Sequence, residues 1–214
     1  MLEVTKFRVD VTFTNDILGS VSRNKEVYTE WIKSKGPEGA EEEPDFLDEK
    51  SWTGFYMDEE TKKPCLMDYQ WKGFIKEAAA QNPEVLGLKR KKPGTEAEFA
   101  SSRTVKGWVD GKVFVKPRII GFIGDNVEIK KNLDVFERPL RAETMRGPRV
   151  ALAKSDVVPA GVKSSFEVHT LVNSGVTRAK LQDLMDYGQY KGMGQFRNGG
   201  WGTFESKVTE IKGK

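Results

Sequence analysis

Near its end the chain carries the stretch "DYGQYKGMGQFRNGGWGTFE", residues 186–205, with glycine at 188, 192, 194, 199, 200 and 202. The rings of Tyr187, Tyr190, Phe196 and Trp201 stand among them, and Lys191 and Arg197 lie between the rings. Glycine reaches backbone conformations that other residues avoid, and it lets a second backbone or a ligand approach closely. A dinucleotide fingerprint would need G-x-G-x-x-G between a strand and a helix. Here Arg197 takes the third glycine position, and the stretch follows a helical pattern and precedes a strand, so that reading is excluded. A phosphate-binding P-loop is excluded too, because the stretch has no G-K-[S/T]. What remains is a helix-to-strand connection whose amides can form a concave anion site. Lys191 and Arg197 can pair with phosphates, and Phe196 and Trp201 can stack on unpaired bases. The competing reading is that the glycines close a turn while the rings, Trp201 above all, fill the core.

The elements on either side suggest a fold. "KFRVDVTF" alternates, with Phe7, Val9, Val11 and Phe13 on one face, and predicts a half-buried strand. Asn24 can cap a helix to about Lys35, with Val27, Tyr28, Trp31 and Ile32 as its apolar stripe. "WTGFYM" and "PCLMDY" predict a hairpin across "DEETKK", and "WKGFIKEAAAQ" predicts a helix ended by Asn82-Pro83. "RTVKGWV" and "KVFVKPRIIGFI" read as two strands joined at Asp110-Gly111, with Pro117 at an edge or bulge. Residues 125–149 read as irregular. "VALAKSDVV" and "KSSFEVHTL" read as strands around Pro159-Ala160-Gly161. Thr177 caps a helix to about Tyr187 with Leu181, Leu184 and Met185 inward, and "TFESKVTEI" closes as a strand. With residues 37–104 set aside as an insertion, the order is strand, helix, strand, strand, helix, strand. That is an α+β, ferredoxin-like (RRM-like) antiparallel sheet with two helices, in one domain over 1–214. The large α/β insertion falls between the first helix and the second core strand. Trp52, Phe55, Trp71 and Phe74 are expected to form its core.

A net charge of +3 means that any nucleic-acid role must rest on local charge, since the whole molecule is no polycation. Cys65 is the one cysteine, which rules out an internal disulfide and fits a reducing compartment. The N-terminus lacks a long apolar segment, so the expectation is a soluble, cytoplasmic protein with no membrane anchor. One histidine and one cysteine argue against zinc. The acids of 38–49 lack calcium-loop spacing, and neither metal nor cofactor is expected. That acidic segment reads as solvated, or as a contact for a basic partner.

"GMGQFRNGGWGTF" resembles the glycine-rich loop of the RAMP superfamily, the RNA-binding proteins of CRISPR effector complexes. That loop has the form G-x-G, a basic stretch, then G-[aromatic]-G, between the last helix and last strand of a ferredoxin-like fold. "RVALAKSDVVPAGVKSSFEVHTL" is similar to the hairpin that commonly precedes it. The combination also resembles uncharacterised proteins of phages and prophages. The match covers about the C-terminal third, and Asn198 departs from it where a further basic residue is frequent. The resemblance implies a single-domain, backbone-type subunit, because the chain is short for a two-domain processing enzyme.

Other candidates are arginines and a histidine. Arg138, Arg141, Arg146 and Arg149 either line a phosphate groove or lie in a solvated loop. The Lys89–Lys92 run reads as a solvated loop. His169, beside Glu167, could serve as a general acid or base, yet no second partner stands at defined spacing; Tyr187, Tyr190 and Lys191 are alternatives nearer the loop. The expected function is therefore non-catalytic binding of single-stranded nucleic acid, with RNA favoured by the resemblance and single-stranded DNA left open. The site is Lys191, Gly192, Gly194, Phe196, Arg197, Gly199, Gly200, Trp201 and Gly202 with the four arginines. Three alternatives stay open: a phage decoy subunit that engages a host defence complex, a metal-independent endoribonuclease, and a structural virion component.

Overall fold

The computed structural model describes residues 3–22, 52–91, 98–99, 101–124, 133–144 and 147–211. Its elements begin with strands β1 (Val4–Phe13), β2 (Ile17–Leu18), β3 (Val21–Ser22), β4 (Trp52–Gly54), β5 (Tyr56–Met57) and β6 (Pro64–Met67). Helix α1 (Asp68–Gln81), β7 (Arg90–Lys91), β8 (Glu98–Phe99), helix α2 (Ser102–Lys112), β9 (Val113–Lys116) and β10 (Ile119–Gly121) follow. Then come β11 (Asp134–Thr144), β12 (Gly147–Val158), β13 (Lys163–Leu171), helix α3 (Arg178–Asp186) and β14 (Phe204–Ile211). The predicted helix over 24–35 and the acidic segment 38–49 lie outside the described residues.

The central sheet runs β14-β1-β13-β9 with every neighbouring pair antiparallel. Counted along the chain as core strands one to four, that order is 4-1-3-2, the ferredoxin-like arrangement. Strand alternation explains why β1 lies inside. Phe7, Val9, Val11 and Phe13 are buried on one face, and the register sets Val9 between Phe166 and Val208 and Phe13 opposite Phe204.

Helices α1 and α3 supply the layer over that face. Gln70 accepts from the Met67 amide at the start of α1 (2.8 Å), and the Asn82 amide and side chain both donate to Ala78 O at its end. The helix buries Trp71, Phe74, Ile75, Ala78 and Ala79. Trp71 packs against Phe166 with ring centroids 4.5 Å apart, Phe204 at 5.5 Å and Phe13 at 6.2 Å. Trp71 and Phe74 were expected to form a core within the insertion; they stand instead in the shared core of the central sheet.

Three local expectations are corrected. Residues 103–109 form part of α2, where a strand and an Asp110-Gly111 turn were expected. Val105 and Val109, both buried, are four apart, a spacing that satisfies strand and helix periods alike. Trp108 decides, because it packs beside them against the core as only a helix permits. Asp110 is no turn residue; its carboxylate meets Lys76 (2.8 Å) and Lys72 (3.7 Å), which ties α2 to α1. Second, residues 134–144, expected to be irregular, are β11, paired in register with β12 from Asp134↔Val157 to Thr144↔Gly147. Pro139 hid the pattern, and it is tolerated because β11 is the edge of the sheet β11-β12-β4-β3. Third, β12 and β13 do not pair as a hairpin. β12 joins β11, β2 and β4, while β13 joins β1 and β9. The connection still turns at Gly161, which has φ +84°, and Asp16 accepts the Ala160 amide there (2.8 Å).

The predicted hairpin at 52–69 holds as β5 and β6, with Tyr56 opposite Cys65, and β10 completes that small sheet. Pro117 follows β9, the edge of the central sheet, through a cis bond from Lys116. Burial pushes the Cys65 thiol up to about 11, with help from the Asp58 charge. Cys65 is 1% exposed, so the folded protein is expected to leave Ellman's reagent unreacted near pH 8 and to react once denatured. Rapid native labelling would contradict this burial.

Candidate functional site

Thr177 caps α3, its hydroxyl accepting from the Lys180 amide (3.3 Å), and Leu181, Leu184 and Met185 pin the helix to the core. The helix runs out through a 3-10 turn, Tyr187–Gln189, and the glycine-rich segment then returns to β14. Two arms of that segment cross. A Cβ on Gly192 would stand 2.1 Å from the Gly202 carbonyl carbon, and one on Gly202, at φ +68°, would stand 2.0 Å from Met193 O. The Met193 amide donates to Gly202 O, and the Gly202 amide to Asp16 O, each at 2.8 Å. Gly194, at φ +83°, passes so close to Leu18 O that a Cβ there would stand 2.3 Å from it, and the Gln195 amide donates to that oxygen (3.0 Å). Much of the glycine content thus serves backbone crossing, the turn-closing reading of the sequence.

Side chains reinforce the closure. Asn15 donates to Gly200 O (3.0 Å) and to the Thr203 hydroxyl (2.9 Å). Gln195 Oε1 accepts from Thr53 (2.7 Å) and Ser155 (2.9 Å), which ties the loop to β4 and β12.

Strand β11 lies along the loop through Phe136 and Arg138, two residues apart on one strand face. Phe136 meets the ring of Trp201 with centroids 4.5 Å apart. The Arg138 guanidinium carbon lies 3.8 Å from the centroid of the Phe196 ring, a cation–π stack. Phe196 takes the left-handed conformation at φ 54° and remains 42% exposed, and Tyr190 is 81% exposed. Gly199 sits against the same Phe196 ring.

The cations divide into two kinds. Arg197 Nη1 is 2.6 Å from Glu77 Oε2, and Lys191 Nζ is 3.8 Å from Glu77 Oε1 and donates to Asn198 Oδ1. Both loop cations are therefore bound to one carboxylate of α1. Among the described residues no carboxylate pairs with Arg138, and its Nε is buried without an acceptor. The backbone amides of Phe196, Arg197, Asn198 and Trp201 likewise find no acceptor among the described residues. An unpaired guanidinium, an exposed ring and a run of free amides thus lie together. Chemically that suits an anion linked to a flat group.

Arg141 and Arg149 lie on β11 and β12, opposite Val150 and Ala142; Arg146 lies outside the described residues. Lys89 pairs with Glu84 (3.1 Å), and Arg90 and Lys91 form β7. His169 Nε2 is 2.7 Å from Glu167 Oε2. It sits opposite Lys6 on β1, seven residues from Phe13 at the loop end, or roughly 24 Å at about 3.4 Å per residue. The sequence reading missed Glu77, Phe136, Asn15 and Gln195. Phe136 was recoverable, because a strand over "VFERPL" would have aligned it with Arg138. No sequence signal joins Glu77 to Arg197, 120 positions away.

Among the described residues no cluster of three or more His, Cys, Asp or Glu could hold a metal ion, and no helix is long and apolar enough to cross a membrane. No known family model matches the chain, and no curated protein matches it. In structure it is similar to a chain in the cryo-EM structure of the type III-B Cmr-beta bound to cognate target RNA, with a TM-score of 0.51 at 14% identity. The likeness covers 98% of this chain and 61% of that one, so this chain spans about three fifths of its length. The likeness shows a shared α+β fold.

Proposed function

We propose that this protein binds single-stranded RNA without cleaving it, on the surface that β11 and the glycine-rich loop form together. The observation that carries the reading is the unpaired Arg138 guanidinium over the exposed Phe196 ring, beside the free amides of Phe196 to Asn198 and Trp201. A phosphate would accept from those amides and from Arg138. A base would stack on the ring or on the guanidinium plane, a sequence-tolerant contact worth about 1–3 kcal/mol per base. Gly199 and Gly200 keep side chains away from that approach, while Gly192, Gly194 and Gly202 hold the backbone that presents it. Arg141 and Arg149 stand further along the same pair of strands, opposite Val150 and Ala142. RNA is preferred to DNA here because the chain shares its fold with part of an RNA-bound complex and its loop resembles those of RNA-binding RAMP proteins. In this reading, which draws on the sequence resemblance, the protein is phage- or prophage-encoded and works in the host cytoplasm, alone or within a larger assembly.

Fluorescence anisotropy with a labelled, mixed-sequence RNA in EDTA tests the reading. Wild type is expected to bind saturably, with affinity that falls as salt rises, and to leave the RNA intact. Arg138→Ala is expected to lose about tenfold in affinity and to flatten the log–log salt slope by about 0.7, one phosphate contact on a single strand. An Arg138→Ala isotherm that superimposes on wild type counts against the site. RNA cleavage lost in His169→Ala would favour the endoribonuclease. A host protein captured equally with and without nuclease would favour the decoy.

A further inference from the structure

The carboxylate of Glu77 reaches the two loop cations with its two different oxygens, Oε2 to Arg197 and Oε1 to Lys191. A phosphodiester would present its two free oxygens to the same pair in much the same way. We propose that Glu77 is a resident competitor for phosphate: it occupies Lys191 and Arg197 in the free protein and is displaced when the RNA backbone enters. The inference rests on the RNA-binding reading above and adds to it the residue that sets the threshold for binding.

Three features make displacement feasible. The pair is partly open to water, with Glu77 28% and Arg197 31% exposed, so an incoming phosphate can reach it and solvent screens part of its attraction. Asn198 Oδ1 holds Lys191 independently of Glu77, so the ammonium keeps its place when the carboxylate leaves. Arg197 and Asn198 carry their own free amides, so a phosphate that replaces Glu77 meets backbone donors as well. A small monoanion replaces one carboxylate with one like charge and gains little. A nucleic acid that already engages Arg138 brings further phosphates at high local concentration. Glu77 thereby favours extended strands over free phosphate.

A double-mutant cycle tests this, using anisotropy with the same labelled RNA on wild type, Glu77→Gln, Arg197→Met and the double variant, with Glu77→Ala measured beside them. Removing one local negative charge is expected to tighten RNA binding about tenfold and to steepen the salt slope by about 0.7. Arg197→Met is expected to cost about threefold in wild type, where Arg197 must first give up Glu77, and tenfold or more in the Glu77→Gln background. A general change in surface charge would give equal costs in both backgrounds. Equal costs, with wild type still binding RNA, overturn the competitor role and leave the RNA-binding reading intact. Weaker binding by both Glu77→Gln and Glu77→Ala would mean that Glu77 only braces the loop, and also overturns the role. If no variant binds RNA, the RNA-binding reading falls and this inference falls with it.

Discussion

Trp71→Ala is expected to be among the most destabilising single changes in the chain, at about 3–5 kcal/mol for a buried Trp-to-Ala truncation. Trp71 is fully buried, and its ring meets Phe13 of β1, Phe166 of β13, Phe204 of β14 and Phe74 of its own helix. Removing it opens a cavity where α1 crosses three strands of the central sheet, and those rings cannot all move in to fill it. The melting temperature should fall by roughly 6–20 °C, at about 2–4 °C per kcal/mol for a chain of this size. Trp71→Phe separates volume from chemistry. The indole Nε1 is buried with no partner among the described residues, so phenylalanine gives up some volume while also removing an unsatisfied donor, which alone costs about 1–3 kcal/mol. Its net cost should therefore be well under half that of alanine. Urea unfolding followed by circular dichroism measures both. If Trp71 served only a local core in the insertion, Trp71→Ala would melt a small part of the signal early and leave the main transition in place. A single transition shifted as a whole is expected.

What could be read from the sequence was what is decided locally. The alternation of β1, the Thr177 cap with its inward Leu181, Leu184 and Met185, and the closing strand β14 each depend on a few neighbouring residues. α2 was misread because Val105 and Val109 fit two periods at once, and the tie-breaker, Trp108, matters only when there is a core to pack against. β11 was misread because Pro139 argues against a strand until the strand is known to be an edge. The turn at Pro159–Gly161 was legible, but turn chemistry does not say which strands pair on either side, and β12 and β13 go to different sheets. The site followed the same rule. Arg138, Phe196 and the loop glycines were visible as residue types in a suggestive order. Whether each cation is free was not visible, because that depends on Glu77, which the fold brings to the loop from 120 residues away.

Gly202→Ala is the second large effect expected, and its size follows from two separate penalties. A non-glycine residue in the left-handed conformation costs about 1–2 kcal/mol, and Gly202 sits at φ +68°. A Cβ there would also lie 2.0 Å from Met193 O, a backbone atom. That carbonyl cannot simply swing aside, because the Met193 amide is bonded to Gly202 O and the Gly202 amide to Asp16 O. Relieving the overlap means breaking one or both bonds in a part-buried crossing, at about 1–3 kcal/mol for each backbone group left unsatisfied. The sum is about 3 kcal/mol or more. Gly200→Ala is the control. Gly200 is also left-handed, at φ +83°, but a Cβ there meets nothing within 4 Å, so only the conformational penalty of about 1–2 kcal/mol applies. Urea midpoints of the two variants measure the difference, and equal losses would mean that the crossing does not constrain Gly202. RNA binding should follow the same order. Gly202 adjoins Trp201, whose ring packs on Phe136 two residues from Arg138, so displacing the crossing shifts Arg138 relative to Phe196. Gly200→Ala leaves that seam in place.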